Sequence, residues 1–182
     1  MDLFEKPLSS EYFFKGKIIN MRRDRALLPD GSEAFREVVE HPGGVCIGAL
    51  TDEGEILFVR QFRYPYSEEV LEIPAGKRER GEADPLVCGK RELLEETGAT
   101  AERFFPMGVI YPTPGYTDEL LYLYGATGLS FGEACPDEDE FLSVERIPLE
   151  RAVEMVMAGE LPDSKTQIAV LKLWKLKNER II

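Results

Sequence analysis

Glu92, Glu95 and Glu96 stand within five consecutive positions of the chain. At about 100° per residue they share one side of a helix, with Arg91 at its margin. Glutamates three or four residues apart on a helix carry Cβ atoms only ~5–6 Å apart and repel by a few tenths of a kcal/mol per pair. Such a cluster makes physical sense around a cation. Oxygen ligands on a rigid helix suit a hard divalent ion, Mg²⁺ or Mn²⁺, better than zinc. The alternative is an amphipathic helix with a solvated acidic face, on which Arg91 and Glu95 form an ordinary surface pair.

The element that must carry these carboxylates has both ends marked. Asp84 is an N-cap, Pro85 suits the first helical position, and Gly98 suits the left-handed exit. Leu86, Val87, Leu93, Leu94 and Thr97 are expected on the side opposite the glutamates. Pro74-Ala75-Gly76 and a polar loop lead a strand into this helix. A strand that passes through a loop into an acidic helix is a catalytic layout.

Gly76, Glu82 and the run Arg91-Glu92-Leu93-Leu94-Glu95-Glu96-Thr97-Gly98-Ala99 resemble the Nudix box, G-x5-E-x7-R-E-U-x-E-E-x-G-U with U aliphatic. Gly76 to Glu82 keeps the family spacing, whereas eight residues instead of seven separate Glu82 from Arg91. The segments REVVEHPGG, VRQFRYP, EIPAGK, PGYTDE and DEDEF are similar to the ADP-ribose pyrophosphatase branch, so the likeness runs over roughly residues 12–175. Pro114 lies fifteen residues past Ala99, where that branch carries a proline that marks its substrate.

The resemblance implies an α/β protein of the Nudix fold. That is an α/β/α sandwich with a mixed sheet and a central metal-binding loop-helix, here preceded by an antiparallel β section. It implies Mg²⁺-dependent hydrolysis of ADP-ribose, or a related ADP-sugar, to AMP and ribose 5-phosphate. Glu92, Glu95 and Glu96 would hold Mg²⁺ (Mn²⁺ as substitute) with the Ala75 carbonyl, and Glu92 and Glu96 would also serve catalysis. A further acid is expected from the loop Asp137-Glu138-Asp139-Glu140, with Glu140 as remote metal ligand and Glu138 as base, two roles that adjacent acids can exchange. Arg63 would contact a phosphate, and Arg60 either does so or snorkels at the surface. Glu72 belongs to the same substrate set. Arg36 and Glu37 resemble residues that reach the substrate across a dimer, and Pro114, Gly115, Tyr116 and Glu119 would line its ribose side. Other substrates of this family, such as GDP-mannose or NADH, are the nearest alternative. A non-catalytic ADP-ribose sensor would be expected to lose box glutamates, and all are present.

Composition bounds the rest. At 182 residues, 43% hydrophobic and 31% charged, the chain suits one core domain, taken as residues 41–182, with residues 1–40 as a β appendage and dimerisation element. A net charge of −12 argues against nucleic-acid and anionic-membrane partners, while bridging metal ions would still let the chain bind a phosphorylated small molecule, which the resemblance implies is a nucleoside diphosphate sugar. The single histidine, His41, nearly excludes a histidine triad or zinc centre. Cys46, Cys88 and Cys135 lack ligand or pairing spacing and read as reduced thiols, and with no apparent leader or membrane segment the expected location is cytoplasmic.

In chain order, residues 1–10 read as a loose or partner-dependent lead-in, and Tyr12 to Val39 as an antiparallel hairpin or meander turning at Pro29-Asp30-Gly31. Strands are expected at VCIGAL, ILFVRQFRY, VLEI, Arg103–Tyr111, Leu120–Ala126 and FLSVERI. SFGEACPDEDE reads as an acidic surface loop, and helices are expected over Pro148–Ala158 and Ser164–Lys177.

Overall fold

The computed structural model of the chain describes residues 2–79, 82–136 and 141–182. These divide into two compact units, Met1–Gly43 with Tyr111–Leu120, and Gly44–Ile110 with Leu121–Ile182.

The first unit is an antiparallel sheet of β1 (Lys6–Lys15), β2 (Asn20–Leu27) and β3 (Glu33–Glu40), in that order. The β2–β3 turn is set by local chemistry. Gly31 adopts φ 85°, and Asp30 accepts hydrogen bonds from the Ser32 N–H at 2.9 Å and hydroxyl at 2.6 Å. The expectation of a loose stretch over residues 1–10 fails from Lys6 onward. That backbone is laddered to β2 from Lys6↔Leu27 through Ser10↔Asp24, interrupted by a bulge between Pro7 and Ser9. Every residue of β1 is exposed. The segment Tyr111–Leu120 lies along β3, where the Val39 N–H donates to Tyr116 O at 2.7 Å and the Asp118 N–H to Val39 O at 3.1 Å.

The second unit carries two sheets. One is antiparallel, in the order β10 (Leu142–Pro148), β5 (Glu55–Arg63), β6 (Glu68–Glu72). The other runs β7 (Ala75–Lys77), β4 (Gly44–Ala49), β9 (Leu121–Phe131), β8 (Ala99–Ile110), and it is mixed because β4 and β9 are parallel. The strand β9 reaches Phe131, so Ser130 and Phe131 belong to the sheet instead of the acidic loop; they pair with Thr100 and Ala99.

The helices α1 (Pro85–Thr97), α2 (Leu149–Ala158) and α3 (Ser164–Asn178) cover this unit. Because β4 is buried at every position, successive side chains serve two different cores. Val45 and Ile47 pack with Leu57, Cys88, Leu93 and Ala126 against α1. Cys46 packs with Phe58, Ile73, Leu123, Leu149, Leu161 and Leu173 against α2 and α3. Helices on both faces of the strands give the α/β/α layering.

Candidate active site

The helix α1 begins and ends on the residues its sequence marks. The Asp84 carboxylate accepts the Leu86 N–H at 2.9 Å, and Gly98 takes φ 69° while its N–H reaches Leu94 O at 2.8 Å. The faces differ from expectation. Val87 and Leu94 are exposed, whereas Glu92 and Glu96 are 7% and 2% exposed. Two surfaces cover the helix: β4 takes Leu93 and Cys88, and β7 takes the glutamates. A solvated acidic face is therefore excluded for Glu92 and Glu96. Glu95, with its side chain 31% exposed, stays at the rim.

The lead-in from β6 to β7 is gripped residue by residue. The Ile73 N–H donates to Thr166 Oγ1 at 2.9 Å, Pro74 O accepts the Ile47 N–H at 2.9 Å, and the Ala75 N–H donates to Glu96 Oε2 at 3.1 Å. Gly76 then passes so close to α1 that a Cβ there would fall within the Glu92 carboxyl group. Only glycine permits that approach. Arg91 spans the acids, with Nη2 2.8 Å from Glu92 Oε1 and Nη1 2.7 Å from Glu95 Oε2. Burial works to lower the Arg91 pKa, but Glu92 and Glu95 outweigh it and hold the guanidinium charged. Glu82 ties its own loop, accepting the Glu79 N–H at 3.3 Å and offering its carbonyl to Arg78 Nη2 at 2.5 Å. Cys88, one turn below Glu92, is pushed up to about 12 by burial first and by Glu92 and Glu82 next, so it remains a thiol.

Arg63 and Glu72 come together across the β5–β6 pair. Arg63 Nε donates to Glu72 Oε1 at 2.5 Å and Nη2 to Oε2 at 2.8 Å. Burial works to raise the Glu72 pKa, yet the Arg63 fork and Lys165 lower it overall. Arg60 is engaged elsewhere, with Nε 2.6 Å from Glu145 Oε1 on β10.

The remaining expected substrate residues lie in the first unit. Arg36 makes a two-point contact with Glu5 (Nε–Oε2 2.8 Å, Nη2–Oε1 2.7 Å) and lines a shallow hollow of about 610 Å³ with Tyr12, Arg22, Asp24 and Glu40. Glu37 stands opposite Arg23 in the β2–β3 register. Pro114, Gly115 and Tyr116 form an exposed turn, in which the Thr117 N–H reaches Thr113 O at 3.2 Å. Glu119 Oε1 lies 3.3 Å from His41 Nδ1. Glu138 and Glu140, like Asp137 and Asp139, lie outside the described residues.

Among the described residues no group of carboxylate, thiol or imidazole side chains already converges as a metal-ligand set. The donors nonetheless fit a hard divalent cation. Glu92 and Glu96, two buried carboxylates one turn apart, flank the Ala75–Gly76 backbone, and Glu95 stands at the rim. Lys165, Asp163 and Thr166 join the site's support without having been singled out from sequence. The available signal was Lys165 itself, a cation in the first turn of a capped helix, where the dipole disfavours it.

A family model described as "NUDIX domain" matches residues 24–168, and one described as "Nucleoside diphosphate sugar hydrolase N-terminal domain" matches residues 5–39. An ADP-ribose pyrophosphatase of Bacillus subtilis (strain 168) is 42% identical over 170 residues, covering 92% of this chain and 91% of the relative. A methanol dehydrogenase activator of Bacillus methanolicus is 42% identical over 168 residues, 91% of this chain and 90% of its own. A crystal structure titled as an ADP compounds hydrolase superposes with a TM-score of 0.83 over 98% of both chains at 19% identity, a likeness of fold.

Proposed function

The chain belongs to the Nudix family, and from that premise we propose that it hydrolyses the diphosphate bridge of ADP-ribose, or a related ADP-sugar, to AMP and ribose 5-phosphate. The observation that carries the reading is the placement of Glu92 and Glu96: two carboxylates buried against the Ala75–Gly76 backbone, with a glycine where any side chain would displace one of them.

Glu92, Glu95, Glu96 and the Ala75 carbonyl are the residues proposed to hold Mg²⁺, with Mn²⁺ as substitute. Bound there, the ion would neutralise diphosphate oxygens and lower the pKa of a water. Arg91 keeps the Glu92 and Glu95 side chains in a fixed relation, so that little reorganisation is needed during reaction. Arg63 offers a guanidinium to the diphosphate from a fork already anchored on Glu72. Glu138 is the proposed base that takes the proton of the attacking water, and Glu140 the remote ligand. Arg36, Glu37, Pro114, Gly115, Tyr116 and Glu119 are proposed for the nucleoside and ribose portions. Arg60 is proposed for a phosphate as well, and to reach it would have to leave Glu145, which it contacts through Nε.

We also assign a homodimer formed through the first unit, residues 1–40 being its core. Support comes from β1, exposed throughout, and from Leu8, Tyr12, Phe13, Phe14, Met21 and Phe35, all exposed on one small sheet. No described helix is long and apolar enough to cross a membrane, and a cytoplasmic site of action is part of this proposal.

Comparison of kcat/KM for ADP-ribose, GDP-mannose and NADH with Mg²⁺ omitted and restored tests the assignment. ADP-ribose is expected to lead the panel, with AMP released only when metal is present. Preference for a guanosine sugar would replace the substrate while keeping the chemistry.

A further inference from the structure

The first turn of α3 carries a cluster of charges whose purpose packing alone does not explain. Lys165 is 8% exposed, so its ammonium has given up most of its water. Its Nζ donates to Glu72 Oε2 and lies 3.0 Å from Asp163 Oδ1. Asp163 in turn caps α3, accepting the Thr166 N–H at 2.9 Å and the Thr166 hydroxyl at 2.6 Å. Two cations, Arg63 and Lys165, thus stand against two anions, Glu72 and Asp163.

The four are not equally enclosed. The side chain of Glu72 is 4% exposed and that of Lys165 10%, whereas that of Arg63 is 39% exposed. The fork to Glu72 uses Nε and Nη2 of Arg63 and leaves Nη1 for an acceptor beyond the cluster. Glu72 foremost, and Asp163 and Glu96 more weakly, raise the Arg63 pKa against the cost of burial, so the guanidinium sits within the field of the acidic helix. Without Lys165, Glu72 and Asp163 would share one guanidinium, and the buried negative charge left over would draw Arg63 inward.

We propose that Lys165 is a positioning residue: by bridging Glu72 and Asp163 and supplying the second positive charge against them, it keeps the Arg63 guanidinium from being drawn further inward, with Nη1 presented to the diphosphate of the substrate. The proposal rests on the pyrophosphatase reading of the same site. A space-filling core residue would be replaceable by an apolar one of similar length; a positioning cation would not.

The test is a double-mutant cycle on the full chain with ADP-ribose and Mg²⁺. Lys165→Met is expected to lower kcat/KM by roughly 10–100-fold, the range typical when a group that orients a ligand-holding side chain is lost. In an Arg63→Ala background the same change is expected to matter by less than about twofold, since nothing remains to be aimed. Equal losses in both backgrounds would overturn the proposal. Lys165→Gln, which keeps a donor for Glu72 without the charge, carries the same cycle should the methionine variant fail to fold. A readout independent of turnover is the ¹⁵N NMR signal of the Arg63 Nε–H in metal-free protein, assigned by its absence from Arg63→Lys. Its shift and exchange rate should change in Lys165→Met, and an unmoved signal would overturn the proposal even in an active enzyme. Wild-type protein that leaves ADP-ribose intact would instead count against the substrate reading, and the NMR arm would still decide the role of Lys165.

Discussion

Gly76 and Glu92 touch so closely that no side chain fits between the lead-in strand and the acidic helix. The relationship ties a backbone requirement at one end of the motif to a carboxylate position at the other. Gly76→Ala must move either the β7 backbone or the Glu92 side chain. A displacement on the order of 1 Å is expected to lower kcat/KM by roughly 10²-fold. Steady-state kinetics beside a thermal unfolding curve checks this; wild-type kinetics in the alanine variant would mean that the contact has no bearing on the reaction.

Glu72 supplies an acid-side stability term. Its folded-state pKa lies below the ordinary value of 4.5, because Arg63 and Lys165 together outweigh the cost of burial. The unfolded state therefore takes up the proton first as pH falls. The contribution is complete above about pH 4.5 and is lost progressively below it, through the folded-state pKa. Urea unfolding at a series of pH values should show this loss, and Glu72→Gln should flatten the acid limb while lowering stability near neutral pH.

Thiol chemistry separates the cysteines. Cys88, with its pKa pushed up to about 12, and the buried Cys46 should resist a thiol reagent such as DTNB at pH 8 in the folded protein. Cys135 is exposed and should react at once. Titration before and after denaturation should give one reactive thiol and then three.

The exposed apolar side chains of the first unit should be hidden in solution. Light scattering is expected to give twice the chain mass of 20.6 kDa. Phe14→Glu should shift that mass toward the single chain, because a carboxylate in an apolar interface is left without a partner. Wild-type protein that runs as a monomer would remove the cross-subunit role proposed for Arg36.

How far the sequence could be read follows the range of the forces involved. Asp84, Pro85 and Gly98 were legible because capping is local, decided within a few residues. The faces of α1 were not, since periodicity groups residues without naming their neighbours: Val87 and Leu94 meet solvent, while Glu92 and Glu96 meet β7. The first strand hid its start behind Pro7 and Ser9, loop-like residues that a bulge accommodates. Arg63 was visible as a cation on a strand, but its bond to Glu72 depends on the β5–β6 register and its link to Lys165 on a helix about a hundred residues later. Long-range pairing of that kind leaves little trace in one sequence, apart from a lysine at the wrong end of its helix dipole.

The most direct test of the central claim is AMP release from ADP-ribose by wild-type protein and by Glu96→Gln, each titrated with Mg²⁺. Glutamine keeps the shape and can still accept the Ala75 N–H, so the fold should survive while the charge is removed. The account predicts a loss of more than ~100-fold in metal-saturated kcat, above what losing an outer partner of a ligand costs, together with a weaker Mg²⁺ dependence. A variant that matches wild type in rate and metal requirement would contradict it.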